Sequence, residues 1–130
     1  MQHLEYELQK SVARYLCYQY PDVVFLSDTI ASLRLTPQQA KRNELIQKNR
    51  FKCPDILILE PTDKYFGLFI ELKIETPFKK DGTIKASQKD HLVNQYESLL
   101  NLKSKGYYAC FSWGFDMTKQ IIDDYMNDKL

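Results

Sequence analysis

Between Leu68 and Ile74 the chain reads Leu-Phe-Ile-Glu-Leu-Lys-Ile, a β-rich apolar run with two charges set inside it. Upstream, Asp55 to Glu60 is a second β-rich run, and the Pro61-Thr62-Asp63-Lys64 segment between them is turn chemistry. The two runs form a hairpin, and its register follows. Side chains alternate between the faces of a strand, so Glu71 and Lys73 share one face while Ile70, Leu72 and Ile74 occupy the other. A three-residue loop at Thr62-Asp63-Lys64 opposes residues whose numbers sum to 126, which sets Asp55 across from Glu71.

Two carboxylates facing each other across a ladder, with Cβ atoms roughly 5 Å apart, repel and raise one another's proton affinity unless a positive charge intervenes. A divalent cation supplies that charge. Hard oxygen ligands at this spacing suit Mg²⁺ or Mn²⁺, and the Lys73 ammonium beside them orients a water or stabilises developing negative charge. The structural alternative is a solvated hairpin edge, with Glu71 and Lys73 facing water and Asp55 merely following the turn at Pro54.

The remaining elements frame the hairpin. Leu4, Leu8, Val12, Tyr15 and Leu16 recur at helical spacing from Leu4 to about Tyr18, where Pro21 stops the run. Asp22 to Leu26 is short, β-branched and aromatic enough to form a strand. Thr36 and Pro37 read as an N-cap and first helical residue, opening a helix to about Asn49. After a polar loop from Glu75 to Ser87, a helix runs from about Gln88 to Lys105, with Leu92, Leu99 and Leu102 inward and Gly106 as its C′ residue. Tyr107 to Trp113 is a strand, and Asp116 to Met126 a closing helix carrying Met117, Ile121, Ile122 and Tyr125. This order predicts an α/β fold with a mixed central sheet flanked by helices. At 130 residues, 44% of them hydrophobic, the expectation is a single domain spanning residues 1–130.

The net charge of +1 announces no global field toward nucleic acid or membrane. No run approaches the length of a membrane span, and Met1-Gln2-His3-Leu4-Glu5 is not a basic-then-apolar leader, so the expected location is the cytoplasm. Cys17, Cys53 and Cys110 lack the spacing of zinc or redox sites and read as reduced, mostly buried residues. His3 and His91 are distant from each other, so a bound metal would rely on oxygen ligands.

Other polar residues are candidates for the site. On a helical wheel Glu5 lies about 50° from the centre of the first helix's apolar face and Glu7 about 110° away, so Glu5 is expected to face inward. It is either a dipole-favoured first-turn acid or a third carboxylate for the cation. Gln95 aligns with His91, Leu99 and Leu102 toward the sheet, as a hydrogen-bonded core amide or as part of the site. Lys41, Arg42, Lys48, Arg50 and Lys52 outweigh Glu44 in one tract, and Lys79, Lys80, Lys85 and Lys89 outweigh Asp81 in another. Both are solvated faces or phosphate-binding surfaces.

Glu5, Pro54-Asp55, Glu71-Leu72-Lys73 and Gln95 with Leu99, Leu102 and Gly106-Tyr107 together resemble the VRR-NUC family of PD-(D/E)xK nucleases. The likeness extends through Gly114-Phe115-Asp116 to Tyr125, and it is greatest to the short stand-alone phage or prophage members. It implies a restriction-endonuclease-like αβββαβ core and a Mg²⁺- or Mn²⁺-dependent endonuclease, with no small-molecule cofactor, acting on DNA that is often branched, such as a four-way junction. By this resemblance Asp55, Glu71 and Lys73 are the catalytic core, Glu5 the helper carboxylate with Glu7 in reserve, and Gln95 rather than Gln88 the family glutamine. Asp55, Glu71 and the Leu72 carbonyl hold the metal. Stand-alone members of the family imply a homodimer, in the cytoplasm of a bacterial or phage-infected cell. The approach Arg50-Phe51-Lys52-Cys53 lacks the glycine usual before Pro-Asp in the family, and the alternative reading is an inactive nucleic-acid-binding or protein-interaction module on the same fold.

Overall fold

The computed structural model describes residues 2–28, 34–86 and 89–130. Among them, helices and strands follow in the order α1 (Gln2–Gln19), β1 (Phe25–Ser27), α2 (Pro37–Ile46), β2 (Ile56–Ile58), β3 (Leu68–Lys73), α3 (Lys89–Ser104), β4 (Tyr108–Trp113) and α4 (Phe115–Met126). The strands form one mixed sheet in the spatial order β1-β2-β3-β4, with β1 and β2 antiparallel to their neighbours and β4 parallel to β3. The expected α/β architecture is the observed one. A parallel β3–β4 pair requires a crossover, and α3 supplies it.

The hairpin register is the one the turn dictates: Ile56 pairs with Ile70, Leu57 with Phe69 and Ile58 with Leu68. Thr62 holds the turn, its hydroxyl accepting the Lys64 and Tyr65 N–H groups at 3.2 and 3.0 Å. Because β3 lies between β2 and β4, five of its six residues are buried. That overturns the solvated-edge alternative for Glu71, which is only 6% exposed.

Two apolar layers clasp the sheet. On one face α1 contributes Leu8, Val12 and Leu16, spaced four residues apart, and α4 contributes Ile122 and Tyr125 against Ile56, Ile58, Leu68, Ile70 and Leu72. On the other, Leu99 and Leu102 of α3 pack on Phe69, Ala109 and Phe111. Gly106 ends α3 with φ of 97°, where glycine carries no Cβ penalty.

Several boundaries differ from expectation. β1 is shifted toward the carboxyl end of the expected run, and β2 is only Ile56–Ile58, opening just after Pro54, which has no N–H to extend the ladder, and ending two residues before the expected Glu60. α2 has the expected cap: the Thr36 side chain accepts the Gln39 N–H, and the Gln39 side chain accepts the Thr36 N–H. It stops at Ile46 rather than near Asn49, since Gln47 is already extended and no α2 side chain is buried to prolong the helix. Leu4 is exposed, as is Ile74 past the end of β3. The expected α3 start at Gln88, and Gln88 as a rival to Gln95, lie outside the described residues. Cys17 and Cys53 are exposed and Cys110 half-buried, against the expectation of buried thiols. Cys17 follows Leu16 onto the outer face of α1, and Cys53 lies in the extended approach to β2. Among the described residues no helix is long and apolar enough to cross a membrane.

Candidate active site

The hairpin brings Asp55 to the mouth of β2, beside the end of β3. Its Oδ2 accepts the Leu72 N–H at 2.7 Å. Its backbone carbonyl is gripped twice, by the Asp28 N–H at 2.8 Å and by the Gln9 amide at 3.2 Å, and the same amide reaches the Asp28 carbonyl at 3.1 Å. One α1 side chain therefore ties the ends of β1 and β2 together behind the carboxylate.

Glu71 points to the opposite face from Leu72, under α3, where the Gln95 amide nitrogen donates to Glu71 Oε1. Gln95 is itself buried, and its Oε1 has no hydrogen-bond partner among the described residues. Lys73, half-buried on the same face, has its Nζ 6.0 Å from the centre of the Phe111 ring.

Electrostatics mark these groups as strained. Burial pushes the Glu71 carboxyl well above the ordinary carboxylate range and the Asp55 charge pushes it further, while Lys73 pulls it back. Burial also raises Asp55; the Leu72 N–H and Lys73 oppose this, and the charges of Asp28 and Glu5 add to it. Like charges in a poorly solvated place raise proton affinity, and a cation between them relieves both.

Among the described residues no three His, Cys, Asp or Glu side chains gather into a metal-holding cluster. A cation here would draw on Asp55, Glu71 and a backbone oxygen, leaving further positions for water, which is the habit of Mg²⁺. The backbone meets that need. The Lys73 carbonyl accepts the Gly114 N–H on the β4 side, so Leu72, one residue earlier, turns both its N–H and its carbonyl toward β2. There the register sets Pro54 opposite Leu72, and proline has no N–H to offer that carbonyl. The partnerless Gln95 Oε1 is equally suited to accept a hydrogen bond from a water on the ion. The residues present fit a divalent cation.

The other expected site residues are distributed as follows. Glu5, expected to face inward, is exposed, as are its neighbours Leu4, Tyr6 and Glu7, because the packed side chains of α1 begin only at Leu8, yet its charge acts on Asp55 and on His91. Glu7 turns away to pair with Lys10 at 3.1 Å. Lys41 and Arg42 are exposed on α2, and Lys48, Arg50 and Lys52 are exposed after it. The Lys52 N–H is anchored to Ser98 of α3 at 2.8 Å, and its charge acts on His91. Lys79, Lys80 and Lys89 are exposed and Lys85 is half-buried beyond the carboxyl end of β3.

Sequence reasoning missed two neighbours of the site, Asp28 and Gln9, and placed a third, His91, on the Gln95 face without giving it a part. Asp28 stands beside Asp55, and its charge acts on Asp55, Glu71 and Cys53. The Ser27–Ile56 pairing, continued by one residue, sets it opposite Asp55, a contact between strands separated by α2 that carries no local sequence signal. Gln9 lies one helical turn after Glu5, which is the signal that would have pointed to it. His91 lies one turn before Gln95, where burial, Lys73 and Lys52 lower its proton affinity and Glu5 raises it.

No family model matches the chain, and no curated protein matches it. Among solved structures it is similar to one described as a VRR_NUC domain protein, with a TM-score of 0.60 over 95% of this chain and 88% of that one, at 21% identity. The two share a fold, the one the sequence motifs led us to expect.

Proposed function

We propose that this chain is a divalent-cation-dependent DNA endonuclease whose site is built from Asp55, Glu71 and Lys73. The observation that carries the reading is the facing register of β2 and β3, which sets the half-buried Asp55 across from the buried Glu71 with Lys73 on the same face, the Asp55 charge and burial both raising Glu71. The likeness in fold to a VRR_NUC domain protein supports it.

Mg²⁺ or Mn²⁺ bound by Asp55, Glu71 and the Leu72 carbonyl would supply Lewis acidity and a water of lowered pKa. The chain's own groups do the rest. The Leu72 N–H fixes one oxygen of Asp55 and would leave the other to the cation. Gln95 orients Glu71 from above. Lys73 orients the attacking water or neutralises charge on the phosphate as it becomes five-coordinate. Glu5 is a helper carboxylate at the rim. The basic residues of 41–52 and 79–89 hold phosphates without reading sequence.

The finer reading is selectivity for branched DNA by a homodimer. Two copies on a two-fold axis would match the pseudo-two-fold of a four-way junction and double the basic surface presented to it. Cleavage of end-labelled duplex, flap, single-stranded and four-way substrates with Mg²⁺ or Mn²⁺, alongside sedimentation at micromolar protein, tests both levels. Paired nicks in the junction by a dimer are expected. A monomer that cuts linear duplex equally well would overturn the junction reading and keep the chemistry. DNA binding with no cleavage under either metal would leave an inactive binding module.

A further inference from the structure

Beside the candidate active site a cleft of about 400 Å³ opens between α3 and the segment that follows β3. Its apolar lining is Phe78, Ile84, Val93 and Tyr96, and Lys79 and Lys89 stand at its mouth. The outer wall is ordered. Phe78 and Ile84 form an isolated antiparallel bridge, and the Lys79 N–H donates to the Thr83 carbonyl at 2.7 Å. Asp81, the acid in this wall among the described residues, stays charged under hydrogen bonds from the Thr83 N–H and hydroxyl at 3.0 and 2.6 Å. Lys79 and Lys89 outnumber it, so the lining keeps a net positive charge.

The floor is aromatic and continuous with the catalytic face. Tyr96 lies parallel to Phe111, with ring centres 6.3 Å apart and an interplanar angle of 11°, and Phe78 meets both rings edge-on. Phe111 is also the ring beneath Lys73 Nζ. The cleft therefore begins about two ring spacings from the Lys73 ammonium, the distance of a few nucleotides along a strand. Flat apolar walls with a positive mouth suit a ligand that is a planar ring attached to a phosphate.

We propose that this cleft receives one unpaired nucleobase of the DNA strand near the cleaved bond, with Lys79 and Lys89 on the adjoining phosphates. The inference rests on the nuclease reading and deepens it. A base can enter a side pocket only when unstacked from its duplex, so the cleft favours substrates with an unpaired nucleotide close to the cut. Neither basic tract supplies that discrimination, because phosphate contacts alone are indifferent to pairing.

The test is a fluorescence titration of the full chain, in EDTA, with splayed-arm duplexes carrying 2-aminopurine at successive positions through the branch. At one unpaired position the wild type is expected to quench the probe at least threefold. Val93→Phe, which fills the cleft, and Tyr96→Ala, which removes its floor, should each abolish most of that quenching. Circular dichroism checks their folding, and affinity for fully paired duplex should stay within about twofold for Val93→Phe. Quenching at no position, or quenching of equal amplitude in both folded variants, overturns the proposal. Cleavage of the same substrates with Mn²⁺ separates the two readings. Cleavage without quenching refutes the base pocket alone, and variant-sensitive quenching without cleavage refutes the nuclease while the pocket stands.

Discussion

Glu71→Gln keeps the shape of the side chain and its contact with Gln95 but deletes the charge that Asp55 and the protein interior both oppose. Holding both carboxylates charged about 5 Å apart, at an effective dielectric near 20, would cost about 3 kcal/mol, a cost the folded chain avoids by keeping a proton on Glu71 up to about pH 9. Lys73 offsets part of this, and exchanging a charge-assisted hydrogen bond for a neutral one takes back about 1 kcal/mol. The net gain depends on pH. Where the folded state raises the affinity of a carboxyl for its proton, the unfolded chain releases the proton first as pH climbs, so stability falls between the ordinary carboxylate range and the folded value. The wild type without metal carries that slope, and Glu71→Gln reduces it. The substitution should therefore change little near pH 4.5 and stabilise by about 1 kcal/mol at pH 8, roughly 4 °C in melting temperature for a chain of this size. Metal is expected to reverse the order. On the proposed reading, Mg²⁺ at a hundredfold excess over its Kd should stabilise the wild type by about 2.7 kcal/mol and the variant by far less. Thermal melts at both pH values, in EDTA and in Mg²⁺, read all four quantities. A Glu71→Gln protein less stable than wild type at pH 8 in EDTA, or equally stabilised by Mg²⁺, would refute the reasoning.

Lys73→Ala should lose turnover while retaining metal affinity by titration calorimetry, and Lys73→Arg should not restore it, because a planar fork does not replace a compact ammonium. Burial pushes the Cys110 thiol up to about 12, whereas Cys17 and Cys53 are exposed. Iodoacetamide at pH 8 followed by mass spectrometry should label Cys17 fastest, then Cys53, whose thiol is also raised, and Cys110 only after denaturation. Gly106→Ala places a Cβ 2.6 Å from the Phe66 ring at a φ of 97°. It should lower stability by about 2 kcal/mol in urea unfolding, and adding Phe66→Ala should recover the collision but not the backbone strain.

The reach of the sequence differs from element to element. The β2–β3 register was legible because a short turn leaves one pairing that buries Ile56, Ile58, Leu68 and Ile70 together. Gln95 was legible because it shares the helix face of Leu92, Leu99 and Leu102. The part played by Asp28 was not, since it depends on β1 pairing with β2 across an intervening helix, a contact no local pattern encodes. Glu5 was placed by helical phase alone, and phase does not reveal that the packed side chains of α1 begin only at Leu8. α2 announced its start through Thr36 and Gln39, but its end was hidden because no buried side chain marks it.

The central claim, that Asp55 and Glu71 form a cation-dependent hydrolytic site, is tested most directly by single-turnover cleavage of an end-labelled four-way junction by wild type and Asp55→Asn. The carboxamide oxygen of that variant can still accept the Leu72 N–H, so the fold is kept and the carboxylate charge alone is lost. The expected result is cleavage by wild type in Mn²⁺, none in EDTA, and a loss of at least a hundredfold in Asp55→Asn that higher Mn²⁺ only partly restores. Cleavage by wild type in EDTA, or an Asp55→Asn protein that cuts at the wild-type rate, would contradict it.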